Sequence, residues 1–533
     1  MTRPPNILLI MADQLAAPAL SCYGHPVVRA PHLDRLSRDS LVFDDAYCNF
    51  PICAPSRYSM LTGVLPLALQ AYDNAAELPS GTPTLAHYLA MQGYQTALCG
   101  KMHFVGPDQM HGYEERLVTD IYPSDFSWTP NWNEGALNAP TGLSMRAVIE
   151  AGPCVRSLQM DYDDEVHYHA VRKLYDLPRS ADERPFFLTV SYTHPHSPFV
   201  IGQEYWDRYQ DSEIDPPSVP AIGVEELDPW SRWLHYCRGM DLYTVTDAHV
   251  RAARRAYYGM IGYLDDRIGE LMRVLGETGQ DRDTIVMFVS DHGEMLGERG
   301  MWFKQTFYEW SCRVPFMIRW PDRIAPGRCD KVVSLVDLMP TLLELAGGAP
   351  FRDYASPIDG RSLAPLIADP ADADWPDEAI SEYTAEGTLV PCRMLRQGRY
   401  KYIYTHGHPP QLYDLRADPR ELDNLAGRPG HAAAENRLRE RALRGWDPDR
   451  VDRAVRASQK SRRFVLGASR RQRQQDNWAY EVPSHDKMRY VRAGGGNGAM
   501  DTKARARFPF VEPVKPDRPA QAGATPDAEW LIE

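Results

Sequence analysis

Apolar residues fall along this chain in short dense runs, separated by longer amphipathic stretches. Five runs have the length and continuity of buried strands: NILLIM (6–11), YQTALCG (94–100), FFLTVSY (186–192), TIVMFVS (284–290) and VPFMIRW (314–320). None alternates strictly with polar residues, as expected where both faces of a sheet are covered. Between 249 and 275, Ala253, Tyr257, Met260, Leu264, Ile268, Leu271 and Leu275 recur at three- and four-residue spacing, which predicts one long helix with a buried face. Strands alternating with helices predict an α/β fold, a mostly parallel sheet flanked by helices.

The texture changes near residue 370, where ADPADADWPDEA reads as a linker. Beyond it, CRMLRQ and YKYIYTH predict a small antiparallel sheet, and 432–475 is Arg-rich and helical. The expected organisation is a large α/β domain over 1–370, a smaller α+β subdomain over 371–475, and an extended tail over 476–533. The end of the chain has no core of its own but carries Trp478, Tyr480, Met488, Tyr490, Phe508 and Phe510. An apolar series of that kind predicts a contact surface.

Length agrees with this division, because 533 residues exceed a single ordinary core. Charge narrows the partners: a formal net charge of −13 argues against nucleic acid, and the Arg-rich helix reads as a solvated amphipathic face. Nine cysteines are scattered without a CxxC pair, so neither a disulfide framework nor a cysteine zinc site is expected. The opening apolar run is too short for a signal peptide, and no stretch reaches the length of a membrane span. A reducing cytoplasm is the expected location.

In open α/β sheets, ligands bind beyond the carboxyl ends of the strands. After the first run comes Asp13-Gln14; after the second, Lys101-Met102-His103; after the third, His194-Pro195-His196; after the fourth, Asp291-His292, with Lys304 a little further on. Taken singly, an Asp there is a turn or cap and a Lys is solvated. Four ionisable groups at one sheet edge make independent bland causes a poor account. The oxygen-rich set Asp13, Gln14, Asp291 and His292 suits a hard divalent cation, Ca²⁺ or Mg²⁺, with Mn²⁺ admitted by the imidazole. That cation, with Arg57, Lys101 and Lys304, would neutralise a tetrahedral oxyanion, and His103 and His196 are candidates for proton transfer. Cys53, in NFPICAPSRYSMLTG (49–63), then lies where a nucleophile belongs. The prolines at 51 and 55 exclude a plain strand or helix interior there and fit a helix N-terminus, which favours anions.

With Cys53-Ala54-Pro55-Ser56-Arg57, Asp13-Gln14, Gly100-Lys101-Met102-His103 and Ser290-Asp291-His292-Gly293, the chain resembles a type I sulfatase of the alkaline phosphatase superfamily over most of residues 4–465. AYDNAAE (71–77), the long run 100–130, MDYDDEV (160–166) and MLGERGMWFK (295–304) make it similar to choline-sulfatases. The resemblance implies an alkaline-phosphatase-like fold. It also implies that a maturation enzyme oxidises Cys53 to Cα-formylglycine, reading Pro55 and Arg57. A thiolate is a poor ligand for a hard cation, whereas an aldehyde hydrate offers two oxygens, one to attack sulfur and one to release the sulfate. A Cys-dependent phosphatase, the rival, needs a longer loop between Cys and Arg.

By the same resemblance, Asp13, Gln14, Asp291, His292 and the modified Cys53 hold one divalent cation, most simply Ca²⁺. Lys101 and Lys304 grip sulfate oxygens, Asn74 hydrogen-bonds the sulfate, Arg57 supports the aldehyde and His103 assists its hydroxyls. His196 helps the leaving oxygen depart, with His194 as the alternate. Trp128 resembles an aromatic contact for the choline ammonium, and Glu386 and Asp501 resemble its acidic partners, Asp501 reaching a neighbouring subunit in a homodimer or homotetramer. A core aromatic and surface charges are the plain readings of those three. Two departures bear on the substrate: GLSMRAVIEAGPCVRSLQ (142–159) lacks the family's aromatics and histidine, and the tail has a Gly-rich insert. Choline sulfate, another small alkyl or aryl sulfate, a phosphonate or phosphodiester, and a non-catalytic binding relative are the readings weighed; no nucleophile or ligand is missing, as the last would require.

Overall fold

Strand β1, Asn6–Ala12, lies in the middle of an eight-stranded sheet, and its alternate residues feed two separate cores. Leu8, Ile10 and Ala12 face one core, and Ile7, Leu9 and Met11 face the other. This is why the run is apolar without alternation. The molecule is described by a computed structural model over residues 4–135, 140–180, 182–471, 478–481, 514, 515 and 517.

The other strands are β2 (Leu41–Tyr47), β3 (Gln95–Gly100), β4 (Glu115–Arg116), β5 (Gly152–Cys154), β6 (Phe186–Ser191), β7 (Val200–Gly202), β8 (Thr284–Ser290), β9 (Phe316–Arg319) and β10 (Gly327–Ser334). The large sheet runs β10-β2-β9-β8-β1-β6-β3-β4, and β5 pairs with β7 apart from it. All its pairings are parallel except those of β9, which is antiparallel to both β8 and β2. The segment after β8 folds over the carboxyl edge and re-enters the sheet from there, so β9 needs no crossover helix. The expected mostly parallel α/β sheet is observed.

The periodic stretch forms the helix Asp247–Glu277, with every one of its predicted core residues buried. It also reaches the strand ends, since Tyr257 donates from its hydroxyl to the Gln14 carbonyl at 2.6 Å. The C-terminal sheet is antiparallel, in the order β11 (Glu378–Tyr383), β12 (Cys392–Gln397), β13 (Tyr400–Thr405) and β14 (Gln411–Asp414). Helices Ala432–Leu443 and Pro448–Arg471 follow. Lys401 of β13 is buried and meets Glu309 at 2.6 Å and Glu421 at 2.7 Å, tying the small sheet to the segment beyond β8.

Part of the tail lies against its own chain. Trp478 packs edge-on against Phe126 at 5.1 Å, and the Tyr480 carbonyl accepts from the Thr119 hydroxyl at 2.7 Å. These two residues are therefore satisfied by their own chain. Met488, Tyr490, Phe508 and Phe510 lie outside the described residues.

Candidate active site

The register of the sheet sets the site. Ala12 pairs with Ser290 and Met11 with Ser191, while Gly100 pairs with Ser191 from the other side. The chain therefore leaves β1, β3, β6 and β8 at one level, bringing Asp13, Lys101 and Asp291 together. The turn at Gly100 has φ +106°, and a Cβ there would lie 2.1 Å from the Ser191 carbonyl oxygen, so only glycine fits.

Cys53 begins the helix Cys53–Thr62, preceded by Ile52 in extended conformation, as the prolines predict. All ten residues of this helix are buried. Asn74 caps its first turn, its Oδ1 accepting from the Ala54 amide at 3.0 Å. The Cys53 Sγ lies 3.3 Å from His292 Nε2, 3.4 Å from Lys304 Nζ and 3.8 Å from Asp13 Oδ1. Burial pushes this thiol up, but Lys101, Lys304 and His292 outweigh burial and hold it well below the usual cysteine range.

Charge around the thiol is closely paired. Arg57 donates from Nε to Asp291 at 2.7 Å and from Nη1 to the Lys101 carbonyl at 2.7 Å and Ser191 Oγ at 2.8 Å. Arg57 thus braces three strand ends and offsets Asp291 rather than standing free in the site. Lys101 donates to Asp13. Burial, with Asp291 and Cys53 nearby, raises Asp13 to about 6 against the pull of Lys101. Against burial, Arg57 and His292 keep Asp291 low.

Lys304 reaches Gln14 Oε1 at 2.6 Å and His196 Nε2 at 2.7 Å. The His196 Nδ1 lies 2.6 Å from the Ser197 carbonyl, which places a proton on Nδ1 and leaves Nε2 as the exchanging atom. Burial and Lys304 hold His196 well below the usual histidine range. The alternate, His194, is turned instead onto Asp163, with Nδ1 to Oδ2 at 2.6 Å. His103 is buried with φ +61°, its backbone held by Asp120, which accepts from the His103 amide at 2.7 Å and the Met102 amide at 2.9 Å.

Asp13, Cys53, Asp291 and His292 offer ligand atoms within 4.8 Å of one another. Two carboxylates and an imidazole around an oxygen-rich centre fit one hard divalent cation. Gln14 lies against them through its backbone, its amide donating to Asp291 Oδ1 at 3.1 Å.

Trp128 is buried, but beside the site: it packs on Tyr122 at 5.0 Å and on His103 at 5.5 Å. Glu386 is also buried, not a surface charge, and is met by Thr141 Oγ1 and Gln305 Nε2, each at 2.9 Å, and by Arg238 at 3.2 Å. Asp501 lies outside the described residues. Reading strand ends overlooks Tyr122, whose ring lies 4.2 Å from Lys101 Nζ and whose hydroxyl is 3.1 Å from His196 Nε2. Glu294, which follows Asp291-His292-Gly293 at the same strand end and has no role assigned from sequence, takes Gln14 Nε2 and is raised by burial to about 7.

The family model for sulfatases matches residues 5–349, and the model for the C-terminal part of N-sulphoglucosamine sulphohydrolase matches 297–445. A choline-sulfatase of Rhizobium meliloti (strain 1021) is 43% identical over 498 residues, spanning 92% of this chain and 96% of that protein. An arylsulfatase of Clostridium perfringens is 28% identical, over 79% of this chain and 90% of that protein. Among solved structures, a phosphonate monoester hydrolase from Silicibacter pomeroyi superposes with a TM-score of 0.67 at 25% identity, covering 83% of this chain and 95% of that one. Motifs, strand-end cluster and family match agree: this chain belongs to the sulfatase family, and it is a sulfuric ester hydrolase.

Proposed function

We propose that the substrate is choline sulfate, cleaved to choline and sulfate. The observation that carries this reading is the similarity to a choline-sulfatase along 92% of the chain. Support comes from a buried aromatic pair, Tyr122 and Trp128, and a buried carboxylate, Glu386, since a quaternary ammonium is recognised by aromatic faces and nearby anions.

The residues divide the work. Asp13, Gln14, Asp291, His292 and the modified Cys53 would hold one divalent cation, Ca²⁺ by the resemblance to sulfatases, which would supply Lewis-acid stabilisation of sulfate charge. Conversion of Cys53 to formylglycine by a maturation enzyme supplies a hard oxygen nucleophile in place of a thiol. Lys101 and Lys304 bind the sulfate oxygens, and Asn74 donates its amide N–H, its Oδ1 being occupied by the helix. His103, kept neutral by burial, accepts a proton from the nucleophile. The Lys304–His196 pair holds the proton needed by the departing oxygen. Arg57 fixes Asp291 and the loops around the nucleophile.

No disulfide joins the nine cysteines, which supports a reducing, cytoplasmic setting. We propose a homodimer or homotetramer in which Asp501 completes a neighbour's ammonium site; sedimentation of the full chain as a monomer contradicts this.

One observation favours a second reading, a sulfatase for another small alkyl or aryl sulfate. Glu386 is already paired with Arg238, which lessens its pull on a cation. The deciding experiment compares formylglycine-bearing enzyme on choline sulfate, neutral alkyl and aryl sulfates, and a phosphonate monoester. A choline sulfate kcat/KM above all others is expected, and equal or higher values on the neutral esters overturn the choline reading.

A further inference from the structure

Glu386 is held asymmetrically. Its Oε1 accepts from Thr141 Oγ1 and Gln305 Nε2 at 2.9 Å and from Arg238 Nη2 at 3.2 Å. Its Oε2 is buried and has no partner among the described residues. Three donors on one oxygen and none on the other is a costly arrangement for a carboxylate that serves only the fold, because an unmet buried acceptor loses its hydration for nothing.

The place of this carboxylate relates it to the chemistry. Gln305 directly follows Lys304, whose Nζ is 3.4 Å from Cys53 Sγ, and Gln305 receives Arg238 Nε on its Oε1 at 2.8 Å. On the other side, Thr384 donates to the Tyr72 carbonyl at 2.9 Å, two residues before Asn74. Arg238 and Glu386 have side chains only 1% exposed. No solvent screens the pair, so removing either partner leaves an uncompensated buried group.

We infer that Arg238 is a positioning residue for substrate selection, occupying Glu386 Oε1 so that Oε2 alone meets a cationic leaving group. The inference rests on the proposed choline reading and adds to it the residue that orients Glu386. Arg238 holds one oxygen and leaves the other uncommitted. Among the described residues, Arg238 is the one ion-pair partner of Glu386. Cys237 and Tyr383 lie nearby, and burial raises the former to about 11 and the latter well above its ordinary range, so both stay neutral.

The test uses full-length, formylglycine-bearing enzyme and the ratio of kcat/KM for choline sulfate to that for neohexyl sulfate, in which carbon replaces the ammonium nitrogen. The neutral ester cancels effects on the chemistry and reports folding. Wild type should prefer choline sulfate. Arg238→Gln and Arg238→Met, both made so that one misfolded variant does not decide, should lose about tenfold in the ratio, the scale of one contact to a charged group, while keeping kcat/KM for neohexyl sulfate. Arg238→Lys should keep most of the ratio. Glu386→Gln should lower the ratio, and adding Arg238→Gln to it should lower the ratio no further.

A ratio in Arg238→Gln and Arg238→Met that stays as in wild type, or a further fall when Arg238→Gln is added to Glu386→Gln, overturns the inference while leaving the choline reading intact. A wild-type ratio near one removes the choline reading itself, and the inference with it, before any substitution is considered.

Discussion

The sulfate end of the site and its leaving-group end are built from different material. At the sulfate end, Asp13, Lys101, Asp291 and His292 extend from the ends of β1, β3 and β8, parallel strands of one sheet with β6 between β1 and β3, and each is fully buried. Their positions are fixed by sheet register and by Arg57, which reaches across three strand ends. At the leaving-group end, Trp128 sits on a short helical turn in a long loop, and Glu386 follows a strand of the second sheet. On the proposed reading, rigid strands place the groups that any sulfate ester needs, while loops and a second sheet place the groups that choose the alcohol. This agrees with the wide spread of chemistry on one sheet: substrate identity varies where the backbone is least constrained.

Substitutions at the two ends should therefore differ in kind as well as in size. Cys53→Ala should have the largest effect, a loss on the order of 10⁶ in kcat on every substrate, the scale of deleting a nucleophile. Its fold should persist, because the change removes one sulfur from the first turn of a buried helix. Circular dichroism and turnover on two esters check both halves.

Asp291→Asn comes next. It removes an anionic ligand and leaves Arg57 buried with no carboxylate, so bound metal and activity should fall together. The loss should exceed the roughly 10–100-fold typical of an outer partner. Elemental analysis should find about one divalent ion per wild-type chain and a deficit in the variant. A variant with full metal and low activity would assign Asp291 to Arg57 alone.

Trp128→Ala sharpens the contrast most, although its effect on activity is smallest. KM for choline sulfate should rise about tenfold, the worth of a desolvated cation–π contact, with little change for neohexyl sulfate. The side chain is buried, so the unfolding midpoint should also drop, by an amount corresponding to about 3–5 kcal/mol. Equal losses on both esters would move Trp128 from the leaving-group end to the common scaffold.

The same contrast explains what could be read from sequence. Strand ends were legible because β1, β3, β6 and β8 are continuous apolar runs, and the polar residue after each run marks the edge. Strand β2, LVFDDAY, escaped notice because Asp44 and Asp45 interrupt it; they pair with Arg328 and Arg396 of other elements. The antiparallel direction of β9 depends on the path of the chain after β8, which no local pattern encodes. Trp128 and Glu386 were reachable only through resemblance, and Arg238 not even so, because its pairing with Glu386 spans 148 residues and leaves no periodic trace. Asp163, which holds His194, lies in the run MDYDDEV, so resemblance marks its position but not its pairing with a residue 31 positions away.

The account depends most on Cys53 being a precursor. Mass spectrometry of the peptide containing Cys53, on preparations made with and without a formylglycine-generating enzyme, tests this directly. The account predicts that the peptide carries the aldehyde or its hydrate, and that specific activity rises in proportion to the modified fraction. Full activity in a preparation whose Cys53 is entirely unmodified thiol would contradict it.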